Sequence, residues 1–132
     1  MIKPKFDAEG INSFSMNGNN YVKNILFVAG MHGNEYLGPL SLLYAIKHLE
    51  APSTRIIIFP LANPSGFDHH QRLTFPTNLD PNRDFPIEQY TKCYQTTSSL
   101  IIDHIYRKYH IDLTLALHNG KSEIAWNWGT VR

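Results

Sequence analysis

Three apolar runs alternate with two periodic segments along most of the chain. "NILFVAG" (24–30), "STRIIIFPLANP" (53–64) and "IDLTLALHNG" (111–120) are short and almost continuously apolar. Such runs are typical of strands that are buried on both faces of a parallel sheet. Pro60 predicts that the second strand ends or bends there, because proline cannot donate to a strand ladder. Residues 1–20 are polar and contain glycine, and we expect a loose lead-in or an edge hairpin.

The segments between the apolar runs have the period of amphipathic helices. One is "YLGPLSLLYAIKHLE" (36–50), and the other is "SSLIIDHIYRKYH" (98–110). Their apolar faces follow i, i+3, i+4 spacing and consist of Leu42, Ala45, Ile46 and Leu49 in the first helix and of Ile102, Ile105, Tyr106 and Tyr109 in the second. Ser98 or Ser99 is the predicted N-cap of the second helix, since a serine hydroxyl accepts a hydrogen bond from a free backbone N–H.

The order strand, helix, strand, loop, helix, strand predicts an α/β domain with a mostly parallel or mixed sheet flanked by helices. Ligands bind such sheets at the carboxyl ends of the strands. His32 and His118 each lie just past the end of a predicted strand, and the long loop 63–86 leaves from the end of the middle one. Loops of this length in a compact domain are usually functional or disordered. A functional site is therefore expected at this edge.

Composition limits the class of protein. The length of 132 residues suggests one domain, and a hydrophobic content of 42% is enough for a core. The net charge of +1, without a basic run, gives no indication of a nucleic-acid partner. There is no apolar signal core and no membrane-length apolar stretch, so we expect a cytoplasmic protein with no membrane partner. Cys93 is the single cysteine, which excludes an internal disulfide and a cysteine-rich zinc site.

The stretch "VAGMHGNEYLGP" (28–39) places His32 and Glu35 three residues apart on a glycine-rich turn. A catalytic zinc typically takes three protein ligands and keeps one position open for water. His32 and Glu35 could supply two of these ligands, and His118 could supply the third from a distant strand end. The alternative is an ordinary loop histidine followed by a glutamate that favours the start of a helix through the helix dipole.

The long loop contains the cations that a carboxylate substrate would need. Asn82 and Arg83 are adjacent in the proline-flanked stretch "NLDPNRDFP" (78–86), and a guanidinium can bind a carboxylate through two charge-assisted hydrogen bonds. Arg72 could stabilise the oxyanion that forms when water attacks a carbonyl. Alternatively, these are surface residues that make turns and local ion pairs, such as Arg83 with Asp84.

Four segments in order, "GMHGNEYLG", "ANPSGF", "DPNRDFP" and "LTLALHNG", resemble the zinc carboxypeptidases from about residue 24 onwards. The resemblance implies the three-layer fold of that family and a metallocarboxypeptidase-type hydrolase, which cleaves an amide bond next to a free C-terminal carboxylate through zinc-activated water. The implied roles are zinc binding by His32, Glu35 and His118, substrate-carboxylate binding by Asn82 and Arg83, oxyanion stabilisation by Arg72, and orientation of the first zinc histidine by Asp80.

The chain departs from the digestive enzymes of that family after the third ligand. "HNGKSEIAWNWGT" stands where those enzymes have a serine and a tyrosine, so the chain resembles a divergent branch, and Trp126 and Trp128 are expected to pack on a strand. The general-base glutamate of the family lies well downstream, and Glu123 is too close to His118 to be its counterpart. We therefore expect no general base in this chain, and residues 1–132 are expected to be the N-terminal portion of a single, larger catalytic domain.

Two other functions share these motifs. One is a zinc amidohydrolase of the succinylglutamate desuccinylase and aspartoacylase type, which also has an HGNE-like motif, an Asn–Arg pair and a distant histidine. "NPSGF" and "DPNRDFP" favour the peptidase over this alternative. The other is a non-catalytic remnant that binds peptide carboxylates. In each case the expected partner is a peptide or small amide with a free carboxylate.

Two further expectations concern the surface. His69 and His70 are adjacent rather than spaced to converge, so solvent-exposed loop histidines are favoured over a second metal site. The three predicted strands would leave open sheet edges and uncovered apolar faces. We therefore expect the chain to associate with the remainder of its own protein or with itself.

Overall fold

The computed structural model describes residues 5–6, 14–16, 23–48, 54–85, 94–119 and 124–128. In these residues the sheet contains β1 (Lys5–Phe6), β2 (Phe14–Met16), β3 (Lys23–Ala29), β4 (Thr54–Phe59), β5 (Leu113–Asn119) and β6 (Ile124–Trp128). The helices are α1 (Leu37–Ile46), α2 (Pro64–Asp68), the 3₁₀ helix (Pro81–Arg83) and α3 (Thr97–Tyr109). The three strands and two long helices predicted from hydrophobic pattern are β3, β4, β5, α1 and α3.

The centre of the sheet is parallel. Within the described residues the strand order is β1-β2-β4-β3-β5-β6, and β3 pairs in parallel with both β4 and β5. Val28 on β3 lies between Phe59 on β4 and Ala116 on β5. Because β3 has a neighbour on each side and a helix layer over each face, Leu26 and Ala29 are completely buried. The predicted α/β class with a mostly parallel or mixed sheet is confirmed.

Antiparallel strands cover both edges of the parallel centre. β2 pairs with β4, where Ser15 is opposite Ile57, and β6 pairs with β5, where Trp126 is opposite Leu117. The outer sides of the three predicted strands are thus paired, and the sheet ends at β1 and β6 within the described residues. Of the two interpretations of the first twenty residues, the edge hairpin is the one observed, since β1 and β2 pair antiparallel. Trp126 and Trp128 lie on a strand, as expected.

Helix α1 packs on one face of the sheet. Leu42 is buried in a cluster with Ala29 and Leu117, and Gly38 brings the helix backbone very close to the strands. A Cβ added at Gly38 would lie 3.1 Å from Leu117 Cβ, which leaves little room for a larger residue. Leu49, predicted on the same face, lies outside the described residues. The opposite face of α1 is also apolar but exposed, through Leu37, Leu40, Leu43 and Tyr44.

Helix α3 packs on the other face of the sheet. Ile102 and Ile105 are buried against Leu26, Val28, Ile57 and Phe59, and Tyr106 and Tyr109 pack beside them. On β3 and β4 these residues alternate with those under α1, as the two-residue period of a strand requires. The two helices therefore enclose the sheet as a three-layer arrangement, as predicted from the resemblance.

The predicted N-cap of α3 is wrong. The helix begins at Thr97, and the cap is Thr96, whose Oγ1 accepts a hydrogen bond from the backbone N–H of Ser99 at 3.3 Å. The two serines are used for tertiary contacts instead: the Ser98 hydroxyl donates to the carbonyl of Ala62, and the Ser99 hydroxyl donates to Asp84.

The loop between β4 and α3 has regular structure of its own. After Pro60, which follows the last residue of β4, α2 and then the 3₁₀ helix form within the stretch predicted as a long functional loop. Asn63 and Asp80 cap these two short helices through their side chains. None of the helices in the described ranges is long and apolar enough to cross a membrane.

Candidate metal centre

The turn that carries His32 and Glu35 begins at a glycine in a left-handed conformation. Gly30 has φ of +62°, and the carbonyl groups of Ala29 and Gly30 accept hydrogen bonds from Ala62 and Asn63, each at 2.9 Å. Glycine adopts this conformation without the steric cost of a side chain. The turn after β3 is therefore fixed to the turn after β4, at the carboxyl edge where a functional site was expected.

The turn also packs directly on α2 through a second glycine. A Cβ at Gly33 would lie 2.0 Å from the carbonyl carbon of Gly66 and 2.3 Å from the backbone nitrogen of Phe67. No real side-chain carbon occupies such distances, so this backbone contact requires glycine. His32 and Glu35 stand on either side of it, and both are buried, with exposures of 2% and 6%.

His118 reaches the same point from β5. Ala29 pairs with Leu117 in the parallel ladder, so the next residue on β5 lies beside the turn that follows β3. His118 is inside β5 rather than past its end, because pairing with β6 continues through Asn119. The predicted boundary is thus off by two residues, but the predicted convergence with His32 is observed.

The three side chains meet around the Glu35 carboxylate. His32 Nδ1 lies 2.7 Å from Glu35 Oε1, and His118 Nδ1 lies 2.9 Å from Glu35 Oε2. The two imidazole centroids are 5.1 Å apart. One ligand atom from each residue falls within 4.8 Å of the others, and this is the one such group of metal-binding side chains in the part of the chain that the structure describes.

Asp80 contacts the outer nitrogen of His32. His32 Nε2 lies 3.2 Å from Asp80 Oδ1, so this nitrogen donates its hydrogen to the carboxylate. A histidine that binds a metal commonly has this arrangement, since the carboxylate fixes the ring and the lone pair of the other nitrogen faces the cation. Both Nδ1 atoms face the Glu35 carboxylate, so all three residues direct a possible ligand atom to the same point.

Glu35 is ionised at ordinary pH. Burial raises the pKa of its carboxyl, but hydrogen bonds from His118 and His32, together with their charge, outweigh burial and lower the pKa from 4.5 to about 2. Metal binding requires a deprotonated carboxylate and neutral imidazoles. The donor set of two imidazole nitrogens and one carboxylate fits zinc, and three ligands leave a position open.

Arg72 stands at the edge of the centre with access to solvent. Its guanidinium nitrogens lie 3.6 Å from Glu35 Oε1 and 3.8 Å from Asp80 Oδ2, and its side chain is 49% exposed. These distances are those of ion pairs rather than hydrogen bonds, so the N–H groups remain available. The backbone carbonyl of Arg72 accepts from Gly33 N–H at 3.2 Å, which fixes this loop to the metal-binding turn.

Asn82 and Arg83 lie on the 3₁₀ helix, which Asp80 caps. Asp80 Oδ1 accepts from the backbone N–H of Asn82 at 2.9 Å. Arg83 is exposed, and its contact among the described residues is a weak hydrogen bond of 3.4 Å to the carbonyl of Asn82. The alternative of a local ion pair between Arg83 and Asp84 is not observed within the described ranges, because the Asp84 carboxylate is turned towards α3.

Asn63 connects three segments around the site, a role that its sequence motif alone did not predict. Its side chain is buried, accepts from Gly66 N–H at 2.9 Å and donates to the Arg72 carbonyl at 3.3 Å. It therefore connects the turn at Gly30, helix α2 and the Arg72 loop. The signal was present, since asparagine before proline at the start of a helix is a typical N-cap.

The adjacent histidines take no part in a metal group of the described residues. His69 and His70 are both exposed, as expected for loop histidines. His69 Nδ1 donates to the Ser65 carbonyl at 2.9 Å, and its ring stacks on Phe75 with centroids 3.7 Å apart. Glu123 and Cys93, for which the sequence raised expectations, lie outside the described residues.

Solved structures share this fold. A protein assigned as a metallopeptidase from Shewanella amazonensis superposes with a TM-score of 0.68 at 24% identity, over 89% of this chain and 49% of that one. Carboxypeptidase A from Helicoverpa armigera gives 0.69 at 20% identity, over 85% and 38%. An aspartoacylase family protein from Mesorhizobium loti gives 0.65 at 34% identity, over 80% and 33%. These comparisons show that the chain has the fold of these solved structures.

The family model for the succinylglutamate desuccinylase/aspartoacylase catalytic domain matches residues 21–126, and the chain belongs to this family. The family is generally zinc-dependent. The match covers all of the residues of the candidate centre. The chain spans half or less of the length of the three solved structures. Comparison with curated proteins gives no match.

Proposed function

We propose that the protein acts in zinc-dependent hydrolysis of the amide bond of a small N-acyl amino acid that has a free carboxylate. The observation that carries this proposal is the convergence of His32, Glu35 and His118, with Asp80 on the outer nitrogen of His32, in a chain of the desuccinylase/aspartoacylase family. This was the second of the two enzymatic interpretations of the sequence, and the family match supports giving it first place.

His32 Nδ1, His118 Nδ1 and one Glu35 oxygen would hold the zinc. When bound, zinc supplies Lewis-acid chemistry, which polarises the scissile carbonyl and lowers the pKa of water. Asp80 keeps the His32 ring in the orientation that this requires. The buried position of all three ligands excludes bulk water from around them, which strengthens the electrostatic interactions at the centre.

Arg72 is assigned to the oxyanion. Attack on an amide carbonyl places negative charge on its oxygen, and a positioned cation stabilises that charge more strongly than the neutral ground state. The long contacts of Arg72 to Glu35 and Asp80 keep its guanidinium at the centre without using all of its donors. Its half-exposed side chain is thus able to meet a substrate that enters from solvent.

Asn82 and Arg83 are assigned to the substrate carboxylate. The guanidinium of Arg83 offers a planar pair of donors that matches a carboxylate, and the amide of Asn82 adds another donor. Both residues lie on a turn that is connected to the centre through Asp80. A substrate carboxylate held there would fix the position of the amide bond relative to the zinc ligands.

A general base is not assigned. In the part of the chain that the structure describes, Glu35 and Asp80 are the carboxylates at the centre, and both are engaged. Glu35 is a ligand, and Asp80 already accepts from His32 and Asn82.

Carboxypeptidase activity is the second candidate. It is supported by "ANPSGF" and "DPNRDFP", which resemble the peptidases, and by a carboxypeptidase fold that superposes with a TM-score of 0.69. Both reactions cleave an amide beside a carboxylate-bearing residue. They differ in the acyl group that is released. In the amidohydrolase reaction this group is a small acid, and in the carboxypeptidase reaction it is the remaining peptide.

Zinc-loaded protein should be incubated with N-acetyl and N-succinyl amino acids and, in parallel, with N-benzoyl dipeptides that have the same C-terminal residue. Release of the amino acid is measured under single-turnover conditions against the metal-free protein. We expect release from the N-acyl amino acids. Selective release from the dipeptides would favour the carboxypeptidase. If the zinc-loaded protein neither hydrolyses nor binds any of these compounds, both proposed activities are contradicted.

A further inference from the structure

Asp84 is a buried carboxylate for which neither the sequence motifs nor the proposed reaction gives a role. It follows Arg83 directly and is 4% exposed. Its Oδ2 accepts from the backbone N–H groups of Gln95 at 2.8 Å and of Thr96 at 2.7 Å. These two residues immediately precede α3, so Asp84 connects the 3₁₀ helix to the first turn of α3.

Two hydroxyl groups add to the contacts of Asp84 Oδ2, whereas Oδ1 is buried without a hydrogen-bond partner among the described residues. Thr96 Oγ1 donates to Asp84 Oδ2 at 3.0 Å, and the Ser99 hydroxyl donates to the same oxygen. Burial raises the pKa of Asp84, but the hydrogen bonds from Ser99, Thr96 and Gln95 outweigh burial and lower it. A negative charge at the N-terminus of a helix is also favoured by the helix dipole.

The N-terminus of α3 is itself fixed to the end of the sheet. The Ser98 hydroxyl donates to the carbonyl of Ala62, and the N–H of Ala62 donates to the carbonyl of Ala29, the last residue of β3, at 2.9 Å. Ser99 is completely buried. Asp84 therefore joins Arg83 to the same strand ends that carry the metal-binding turn.

The other end of the 3₁₀ helix is fixed by a second carboxylate. Asp80 Oδ1 accepts from Asn82 N–H at 2.9 Å and from His32 Nε2 at 3.2 Å. Asn82 and Arg83 thus stand between two anchored carboxylates, one on the metal centre and one on α3. Because the charge of Asp84 is directed at α3, it does not form an ion pair with the exposed Arg83 within the described residues.

We propose that Asp84 is a positioning residue, which fixes the backbone of Arg83 and leaves the Arg83 guanidinium available to the substrate carboxylate. This inference rests on the proposed role of Arg83 in substrate binding. It predicts that loss of the Asp84 anchor weakens recognition of a carboxylate and leaves zinc binding intact, since of the two anchoring carboxylates only Asp80 contacts a proposed zinc ligand.

The test is the affinity of zinc-loaded protein for N-acetyl-L-alanine, which has one carboxylate, and for its carboxamide, which has none. Both are titrated by NMR. We expect Asp84→Asn to lower the affinity for the acid about fivefold and to leave that for the carboxamide unchanged, because loss of the charge weakens every hydrogen bond at Oδ2. Asp103→Asn on α3 is the matched control, since Asp103 makes an ion pair with Arg107 outside the site.

Arg83→Met and the double variant separate the possible outcomes. If Asp84 acts through Arg83, Asp84→Asn has no further effect on acid binding in the Arg83→Met background. Equal acid affinity of Asp84→Asn and wild type, or parallel losses for acid and carboxamide, would overturn the positioning role. If Arg83→Met binds the acid with wild-type affinity, Arg83 does not bind the substrate carboxylate. The proposed role of Arg83 and the inference about Asp84 are then both overturned.

Discussion

His32 Nε2 and Asp80 Oδ1 lie 3.2 Å apart, and this contact joins the candidate metal centre to the turn that is proposed to bind the substrate carboxylate. The same oxygen of Asp80 accepts from the N–H of Asn82 at 2.9 Å. One carboxylate therefore contacts His32 and caps the 3₁₀ helix that carries Asn82 and Arg83. In the proposed function, this shared contact would fix the position of the substrate carboxylate relative to the metal.

Asp80→Ala is expected to weaken zinc binding. Loss of the partner of a metal-binding histidine typically costs about 10–100-fold in metal affinity, because the ring is no longer held in its orientation and tautomer. Competition with a chromogenic chelator measures the change. Asp68→Ala, at an exposed position at the end of α2, is the control and should bind zinc as wild type does. Equal zinc affinity of the Asp80 variant would show that the contact has no orienting effect.

The stability of metal-free protein should fall in acid because of Glu35. Its pKa is lowered from 4.5 to about 2 in the folded state, so its contribution to stability is fully present above pH 4.5 and is lost as the pH falls towards 2. The loss is at most about 3 kcal/mol. Urea unfolding of wild type and Glu35→Gln across this range isolates the contribution, and parallel curves for the two proteins would contradict it.

Gly33→Ala should destabilise the fold. The added Cβ would lie 2.0 Å from the backbone of Gly66, and neither backbone segment can move without loss of the contacts that hold the metal-binding turn on α2. We expect a loss of about 2–3 kcal/mol in the free energy of unfolding. The neighbouring exposed position gives the control, since Asn34→Ala should leave the unfolding midpoint nearly unchanged. An equal midpoint for both variants would mean that the close approach is not maintained in solution.

Arg72→Met should reduce the rate of hydrolysis without loss of metal. Removal of one group that stabilises an oxyanion typically lowers kcat about 10²–10³-fold. Zinc affinity should change little, because Arg72 lies at ion-pair distance from Glu35 and does not bind the metal. Single-turnover rates and zinc titrations on the same preparations separate the two effects. A variant with the wild-type rate would exclude Arg72 from the reaction.

The parts of the fold that were predicted correctly are those with a strong apolar pattern. β3, β4 and β5 form the parallel centre of the sheet and are nearly continuously apolar, and the ends of β3 and β5 bring His32 and His118 together. The hairpin of β1 and β2 was expected only as one of two alternatives, and β6 was expected only from Trp126 and Trp128, because these strands depend on pairing with β4 and β5 rather than on a run of apolar residues.

Side-chain roles were harder to predict where two partners compete for one group. Ser98 and Ser99 have the composition of an N-cap, but their hydroxyls bond Ala62 and Asp84, and Thr96 caps the helix. Asn63 belongs to a motif that the sequence shows, but its hydrogen bond to the Arg72 carbonyl joins residues nine positions apart and could not be predicted from that motif. Such contacts are set by tertiary structure and leave no periodic signal.

The local motifs were interpreted in favour of the peptidase, but they do not separate it from the amidohydrolase. Both groups bind a zinc, a substrate carboxylate and a scissile amide in the same arrangement. The order of His32, Glu35 and Arg83 along this chain is therefore compatible with either group. The match over residues 21–126 assigns the family. The substrate depends on groups that contact the acyl portion, and these are not among the shared motifs.

The central claim is that His32, Glu35 and His118 form a zinc site, and metal stoichiometry tests it most directly. Purified protein should be stripped, titrated with zinc by calorimetry and analysed for bound metal, together with a His32→Ala/His118→Ala double variant. We predict one zinc per wild-type chain, with protons released on binding, and none in the double variant. Absence of binding to folded wild-type protein, or equal binding by the double variant, would contradict the claim.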